Sequence, residues 1–174
     1  MTKTILMAAL MAGALAASPA LAQTAKTVTM KNAQGKEIGT VTLTEAGDEH
    51  VLIHLDAHSL PPGAHGFHIH AVGTCTAPDF TSAGAHFNPD GDDHGALRGH
   101  DFHAGDLPNI FVNKDGTVKV DIFSDAITIT DADEEEYLLD ADGSAFVIHA
   151  DPDDYKSADT GNAGARIACG ELKK

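Results

Sequence analysis

Alternating apolar and polar residues run through most of the chain, and this pattern predicts β-strands. The segments 27–32 (TVTMKN), 38–46 (IGTVTLTEA) and 50–60 (HVLIHLDAHSL) each place apolar side chains on one face. Successive side chains of a strand point to opposite faces, so each segment offers an apolar face to a core. Further strand-like segments lie at 66–72, 110–123, 126–130, 143–151 and 165–170. No segment has a helical period.

Turn signals separate these segments. NAQGKE follows the first segment, Pro61-Pro62-Gly63 ends the third, and Lys114-Asp115-Gly116 predicts a hairpin turn. Short strands divided by such turns predict an all-β sandwich or barrel.

Two stretches lack periodicity and are predicted to be long loops, at 73–109 and 152–165. The first is rich in Gly, Asp, His and Pro, and a loop of that length in a compact domain usually carries function. The acidic run 131–140 (DADEEEYLLD) is predicted to be a solvated loop.

The first residues have the layout of a secretory signal peptide. A short positive start precedes an apolar stretch at 5–17, and small residues then lead to Ala22. We predict a signal peptide at 1–22, cleavage between Ala22 and Gln23, and one mature domain at 23–174. A membrane anchor is the alternative, but the apolar stretch is short for a span. No later stretch could cross a bilayer, so the mature chain has no predicted membrane span.

The chain is strongly acidic, with 11 Lys and Arg against 26 Asp and Glu and a formal net charge of −15. A nucleic-acid partner would require a basic face, so none is expected. The charge favours solubility and says little about the fold.

The chain has two cysteines, Cys75 and Cys169. An exported protein with two cysteines is a good candidate for one disulfide, because its compartment is oxidising. A disulfide between these two cysteines would close the loop from residue 75 to residue 169. In the chain-entropy model, closing a loop of that size stabilises the folded state by roughly 4 to 5 kcal/mol. Two free or metal-bound thiols remain the alternative.

His68 and His70 are two residues apart on a predicted strand, so both imidazoles point to one face. Such a pair can chelate a metal ion, although the spacing alone is a weak signal. The following loop adds nitrogen and carboxylate ligands of the kind that zinc uses: His86, His94, His100, His103 and Asp106. His149 adds another on a later strand. A loop that buffers metal loosely is the alternative, but it would not need the strand histidines.

Five segments resemble the signature segments of the copper/zinc superoxide dismutase family, in family order and with close to family spacing. They are GFHIHAVGTC, SAGAHFNP, HAGDLPN, VIHADPDDY and TGNAGARIACG. The resemblance extends from about Lys26 to Gly170. It implies an eight-stranded Greek-key β-barrel, of the immunoglobulin-like sandwich type, with two long functional loops.

The resemblance also implies one copper and one zinc ion per subunit. The matching copper ligands are His68, His70, His86 and His149. The matching zinc ligands are His86, His94, His103 and Asp106. His86 belongs to both sets, so its imidazolate would bridge the two metals. Four imidazoles suit Cu(II), and three imidazoles with a carboxylate suit Zn(II).

Other positions match the family's supporting residues. Asp153 matches the carboxylate that links a copper-ligand histidine to a zinc-ligand histidine. Arg166 matches the arginine beside the copper, and Cys75 and Cys169 match the intrasubunit disulfide. Where a lysine often precedes TGNAG this chain has Asp159, so Lys156 is the candidate for steering the anion.

The implied activity is dismutation of superoxide to molecular oxygen and hydrogen peroxide, by alternate reduction and reoxidation of the histidine-bound copper. His86 and Arg166 would be the catalytic residues. The cysteine loop GTCTAPDFTSAGAHFNP and the signal peptide resemble those of bacterial exported enzymes, which implies antioxidant defence in the periplasm. A homodimer is one expected assembly. The alternatives are a non-catalytic copper/zinc-binding or storage module of the same fold, and an adhesion-type β-sandwich with structural metals.

The remaining histidines are not expected to bind metal. His65 matches a structural histidine of the family, and His50, His54 and His58 are expected to be surface or packing residues. His100 lies three residues before His103 and could compete with it, but the family spacing favours His103.

Overall fold

The computed structural model describes residues 24–47, 50–99, 101–158 and 160–174. Within these residues the regular elements are eight strands and one 3₁₀ turn at Thr81–Ala83: β1 (Ala25–Asn32), β2 (Glu37–Glu45), β3 (Val51–Ala57), β4 (Gly63–His70), β5 (Asp106–Val112), β6 (Val118–Ser124), β7 (Ser144–His149) and β8 (Arg166–Leu172). The signal-peptide prediction for 1–22, the cleavage before Gln23, and the remarks on His100 and Asp159 concern residues outside this description.

The eight strands form one antiparallel sheet in the order β5-β4-β7-β8-β1-β2-β3-β6. Strands β5 and β6 end this order and contact each other, so the sheet nearly closes into a barrel. Three pairings join strands distant in the chain: β1 with β8, β3 with β6, and β4 with β7. These long-range pairings fit Greek-key connections, and the all-β prediction is confirmed.

The core forms where apolar faces of the strands meet inside the barrel. β3 shows the predicted alternation, because Val51, Ile53, Leu55 and Ala57 are buried while the residues between them are half-buried. Burying one such Leu or Ile side chain stabilises the fold by roughly 1.5 to 3 kcal/mol.

Strands β4 and β7 are buried on both faces over most of their length. In β4, every residue from His65 to His70 is buried, and all six residues of β7 are buried. One face contributes to the core, where the rings of Phe67 and Phe146 lie 5.8 Å apart. The other face lies beneath the loops, so its histidines are enclosed.

The structure corrects three details of the strand assignment. Residues 126–130 form no strand; they lie in irregular backbone with one isolated bridge between Thr128 and Tyr137. β5 begins at Asp106, earlier than predicted, so the long loop is shorter. In the acidic run, residues 131–135 are exposed, but Leu138 and Leu139 are buried.

The predicted hairpin is only partly correct. The turn exists, because the Asn113 N–H donates to the Thr117 carbonyl at 2.8 Å. The strands on either side do not pair, since β5 pairs with β4 and β6 pairs with β3. The turn therefore sits where the barrel is open, and turn residues alone could not reveal that.

The loop after β4 is attached to the barrel by the disulfide Cys75–Cys169, which spans 94 residues with 5.7 Å between the Cα atoms. The disulfide prediction is thus confirmed. A small second core lies here, in which Phe80 and Ala83 pack with Ala145, Val147 and Cys169. The loop thereby covers the outer face of β7. Across the part of the chain that is described, we find no helix with the length and apolar character needed to cross a membrane.

Candidate metal centre

The sheet register brings the predicted ligands of different strands together. His68 on β4 lies opposite Asp106 on β5 and opposite Val147 on β7. His70 ends β4 and forms an isolated bridge with His86 of the following loop. His149 ends β7. The ligands therefore converge because β5, β4 and β7 are neighbours in the sheet and the loop that follows β4 brings His86 beside them.

The four predicted copper ligands form one compact, buried group. This group contains His68, His70, His86 and His149, and one ligand atom from each lies within 4.8 Å of the others. All four side chains are buried. The rings of His68 and His86 are 4.2 Å apart, and those of His70 and His149 are 5.6 Å apart.

Hydrogen bonds fix the tautomers of two of these histidines. His70 Nδ1 donates to the Gly84 carbonyl at 2.9 Å, and His149 Nδ1 donates to the Gly164 carbonyl at 3.2 Å. A neutral imidazole has one N–H, so Nε2 of each ring carries a lone pair. These Nε2 atoms lie 3.4 Å apart. Two lone pairs at that distance repel each other, and a shared cation removes the repulsion.

Other ring nitrogens in the region are buried and have no hydrogen-bond partner. They are His68 Nδ1, His86 Nε2, His94 Nδ1 and His103 Nδ1. Leaving a buried polar atom unsatisfied costs about 1 to 3 kcal/mol, so a cluster of such atoms needs an explanation. Imidazole nitrogens suit copper and zinc, and every one of these atoms belongs to a predicted ligand. The residues present therefore fit the two metals.

The second group consists of three predicted zinc ligands: His86, His103 and Asp106. His86 Nδ1 donates to Asp106 Oδ1 at 2.7 Å, and His103 Nδ1 lies 3.3 Å from the same oxygen. These three residues offer ligand atoms within 4.8 Å of one another. His86 thus takes part in both groups, as a bridging ligand must.

The fourth predicted zinc ligand, His94, lies beside this group. Its Nε2 is 3.4 Å from Asp106 Oδ2, and its ring is 5.5 Å from that of His103. His94 instead offers a ligand atom within 4.8 Å of those of His68 and Asp153. The structure thus brings the four residues to one place without placing His94 in the tight group.

Asp153 joins the two groups through one oxygen. Its Oδ2 accepts hydrogen bonds from His68 Nε2 at 2.8 Å and from His94 Nε2 at 3.0 Å. Burial alone would raise the pKa of Asp153, but the bonds from His68 and from the Tyr155 N–H lower that pKa below its ordinary value. The ionised carboxylate keeps the proton of each histidine on Nε2 and leaves Nδ1 with its lone pair.

Arg166 lies at the edge of the first group. Its Nη1 donates to the Phe80 carbonyl and its Nη2 to the Gly84 carbonyl, both at 2.6 Å. The Gly84 carbonyl also accepts from His70 Nδ1, so the arginine and a copper-group histidine share one acceptor. Lys156 is exposed and lies on the second loop.

Burial keeps the imidazoles of His70 and His149 neutral at physiological pH. Desolvation, with the nearby His86, lowers the pKa of His70 to about 2. Desolvation, with the nearby His68, lowers the pKa of His149 to about 3. Neutral imidazole is the form that binds a metal, so these side chains need no deprotonation first.

Residues 37–172 match the family model described as copper/zinc superoxide dismutase. The chain belongs to that family. The chain is 47% identical over 148 residues to the Cu-Zn superoxide dismutase of Caulobacter vibrioides, with 84% of each chain covered. It is 46% identical over 143 residues to Cu-Zn superoxide dismutase 2 of Aquifex aeolicus, with 82% of each chain covered.

A solved structure shows the same fold. The crystal structure of a superoxide dismutase-like protein from Bacillus subtilis matches with a TM-score of 0.81 and 44% identity, and the match covers 87% of this chain and 99% of that one. This copper/zinc superoxide dismutase family member acts on superoxide, with copper and zinc as its cofactors. Its disulfide and its bacterial relatives indicate an exported protein.

Sequence reasoning missed the residues that hold this superoxide dismutase site in place. The carbonyls of Phe80 and Gly84 position Arg166, and Asn109 and Tyr155 contact Asp153. The motifs HAGDLPN and VIHADPDDY contain Asn109 and Tyr155, but only the fold brings these residues together.

Histidines outside the two metal groups occupy the positions expected of them. His65 is buried, and its two ring nitrogens contact the carbonyls of His149 and Pro61 at 2.8 Å. His50 and His58 are exposed, and His54 is half-buried and pairs with Asp121.

Proposed function

We propose that one group of side chains binds the copper ion of this enzyme and that the other binds its zinc ion. The copper site is His68, His70, His86 and His149, and the zinc site is His86, His94, His103 and Asp106. The supporting observation is the cluster of buried ring nitrogens without partners, which all belong to these residues. Two superoxide anions and two protons give one O₂ and one H₂O₂.

When bound, copper supplies the one-electron redox chemistry, while zinc contributes charge and fixes the loop. Arg166 binds the anion, because its charge is permanent and its guanidinium is held by two carbonyls. His86 Nε2 is buried and without a partner, so it is the atom where a proton can be held and passed to the reduced oxygen species. Asp153 orients His68 and His94 through one oxygen.

The decisive experiment compares superoxide decay by protein loaded with both metals and by protein loaded with zinc alone. Fast decay that requires copper supports the proposal. We expect His149→Ala to slow copper-dependent superoxide decay by more than the roughly 10- to 100-fold that removal of an outer-shell partner costs. His58→Ala is the matched control, because His58 is exposed and outside both groups.

The same experiment separates the enzyme from its alternative. If both metals are bound and decay is no faster than with zinc alone, the chain is a non-catalytic copper/zinc-binding or storage module.

We further propose that residues 1–22 are a signal peptide and that the mature domain, 23–174, works in the periplasm. The disulfide and the bacterial relatives support export. Cell fractionation and N-terminal sequencing test this, and a mature protein that starts at Gln23 in the periplasmic fraction is the expected result. Retention of residues 1–22 on the active protein would contradict the cleavage.

A homodimer is the assembly that we propose. Among the described residues, the large apolar side chains that remain exposed are Leu97, Phe111 and Phe123, at 64%, 74% and 64%. Leu97 and Phe123 border the same groove of about 400 Å³ between the first long loop and β6. Sedimentation over a concentration series tests this assembly. A dimer that Phe123→Ser converts to monomer supports it, and a monomer at all concentrations contradicts it.

We also propose that Lys156 helps to steer superoxide toward Arg166. The protein is acidic overall, so attraction of an anion depends on local positive charge. Lys156→Gln should reduce the rate at low ionic strength and have little effect at high salt, because salt screens this attraction.

A further inference from the structure

Tyr155 lies in the second long loop and has an unusual backbone conformation. Its φ is 58°, in the left-handed region that non-glycine residues rarely adopt. A residue held there needs contacts that determine it, and such conformations cluster at functional sites. Tyr155 is half-buried, two residues after Asp153.

Three hydrogen bonds fix Tyr155 to three different parts of the molecule. Its N–H donates to Asp153 Oδ1 at 2.6 Å. Its carbonyl accepts from the Leu97 N–H at 3.1 Å, in the loop that carries His94. Its hydroxyl oxygen accepts from the Asn109 N–H on β5 at 2.7 Å. One residue thus connects the linking carboxylate, the zinc loop and an edge strand.

Asn109 strengthens this connection from the side of β5. Its Nδ2 donates to the Asp153 carbonyl at 2.9 Å, and its Oδ1 accepts from the Asp153 N–H at 2.8 Å. The side chain therefore pairs with the backbone of Asp153 in both directions. Because the hydroxyl of Tyr155 holds the backbone N–H of the same asparagine, Tyr155 and Asn109 clamp Asp153 from two sides.

The clamp determines which oxygen of Asp153 faces the metal groups. Oδ1 is occupied by the Tyr155 N–H, so Oδ2 is left for His68 Nε2 and His94 Nε2. A rotation of the carboxylate would break all three bonds together. The orientation of both imidazoles consequently depends on how firmly residue 155 is held.

We propose that Tyr155 is a positioning residue that, through Asp153, sets the geometry of one ligand in each metal site. This inference rests on the proposed role of Asp153 as the link between the two sites. The Tyr155 hydroxyl acts by fixing Asn109 and the loop, and it does not contact metal or substrate. Loss of the hydroxyl leaves the Asn109 N–H of β5 without its acceptor and loosens Asp153.

The test is Tyr155→Phe, which removes the hydroxyl and keeps the ring. We expect the zinc dissociation constant, measured by competition with a chelator, to rise roughly 10-fold, as is usual for loss of an outer-shell partner. We also expect a changed electron paramagnetic resonance spectrum of the copper-loaded protein, because His68 reorients. Tyr137→Phe is the matched control, since the chain has two tyrosines, and it should change neither.

A double-mutant cycle shows whether Tyr155 acts through Asp153. In an Asp153→Asn background, Tyr155→Phe should weaken zinc binding little further, because coupled residues are not additive. If Tyr155→Phe weakened zinc binding equally with Asp153 and with Asn at position 153, the proposal would be overturned. It would also be overturned if Tyr155→Phe alone changed neither the zinc dissociation constant nor the copper spectrum. These outcomes remain distinct from failure of the proposed function, because copper-dependent superoxide decay is measured separately.

Hydrogen exchange on the unmodified protein provides a test that does not depend on a variant folding. The backbone amides of Asn109 and Tyr155 should be strongly protected, since each donates to an acceptor in the clamp. Exchange of both at the rate of exposed loop amides would contradict the proposal.

Discussion

At the residue scale, the metal site is defined by which nitrogen of each histidine is already in use. His70 and His149 each donate Nδ1 to a backbone carbonyl, and His68 and His94 each donate Nε2 to Asp153. The remaining nitrogen of each ring is thereby left as a lone pair. The two kinds of partner explain why different ring atoms are available on different residues.

Arg166 gives a prediction at this scale. Arg166→Lys should slow superoxide decay by at least about 10-fold, because lysine keeps the charge but cannot donate to both carbonyls and still face the anion. The measurement is the decay rate of the metal-loaded protein at fixed ionic strength. Arg98→Lys is the control, since Arg98 is half-exposed and pairs with Asp93. Equal rates for Arg166→Lys and the unmodified enzyme would show that charge alone suffices.

At the scale of elements, the site depends on two strands that are buried on both faces. The face of β4 that carries Phe67 and Ile69 belongs to the core, and the face with His68 and His70 belongs to the metal region. Loops from both sides cover this second face. The alternation that places hydrophobic residues in the core therefore also places the imidazoles.

The disulfide supports the loop that covers β7, and its removal is the prediction for this element. The pair Cys75→Ser and Cys169→Ser should lower the free energy of unfolding by roughly 2 to 5 kcal/mol. Phe80 packs against Cys169 and supplies a carbonyl to Arg166, so the superoxide decay rate should fall as well. Thermal unfolding of the metal-loaded variant measures the first effect.

Reduction of the unmodified protein is the control for this variant and should reproduce the loss. A melting temperature equal to that of the oxidised protein would show that the loop is held by its packing alone.

The strands were largely predictable, and the exceptions have a physical cause. Alternation marks a segment that can form a strand, and the residues 126–130 alternate as well, with Ile127 and Ile129 buried. They form no ladder with another strand, and only Thr128 makes an isolated bridge, with Tyr137. The Glu45 carboxylate accepts from the Ile129 N–H instead. Pairing depends on the whole sheet, and a local pattern does not contain it.

The candidate ligands were predictable for a different reason. His68, His70 and His149 lie on strands, where two-residue spacing determines the direction of a side chain. The contact between Tyr155 and Asn109 joins residues 46 positions apart, and no local pattern indicates it.

At the scale of the whole molecule, the metal-free protein should lose stability as the pH falls. The pKa values of His70 and His149 in the folded state, about 2 and about 3, lie below the ordinary value of 6.5. The unfolded chain therefore binds more protons below about pH 6.5, and stability is lost from there downward. Two such groups give a slope of at most about 2.7 kcal/mol per pH unit.

Denaturant unfolding in the presence of a chelator, between pH 7 and pH 4, measures this slope. The metal-loaded protein is the comparison, and its stability should stay nearly constant until the metals are displaced. A metal-free protein equally stable at pH 7 and pH 5 would contradict the prediction.

The barrel is open between β5 and β6, and this opening affects whether separate molecules can pair through their strands. β5 is an edge strand, and an edge strand with free N–H groups is a template for pairing with another chain. Pro108 has no N–H, and the next donor, on Asn109, is taken by the Tyr155 hydroxyl. Two backbone positions of β5 thus offer no free N–H donor to a foreign strand. Protection against aggregation and support of the metal site therefore depend on the same side chain.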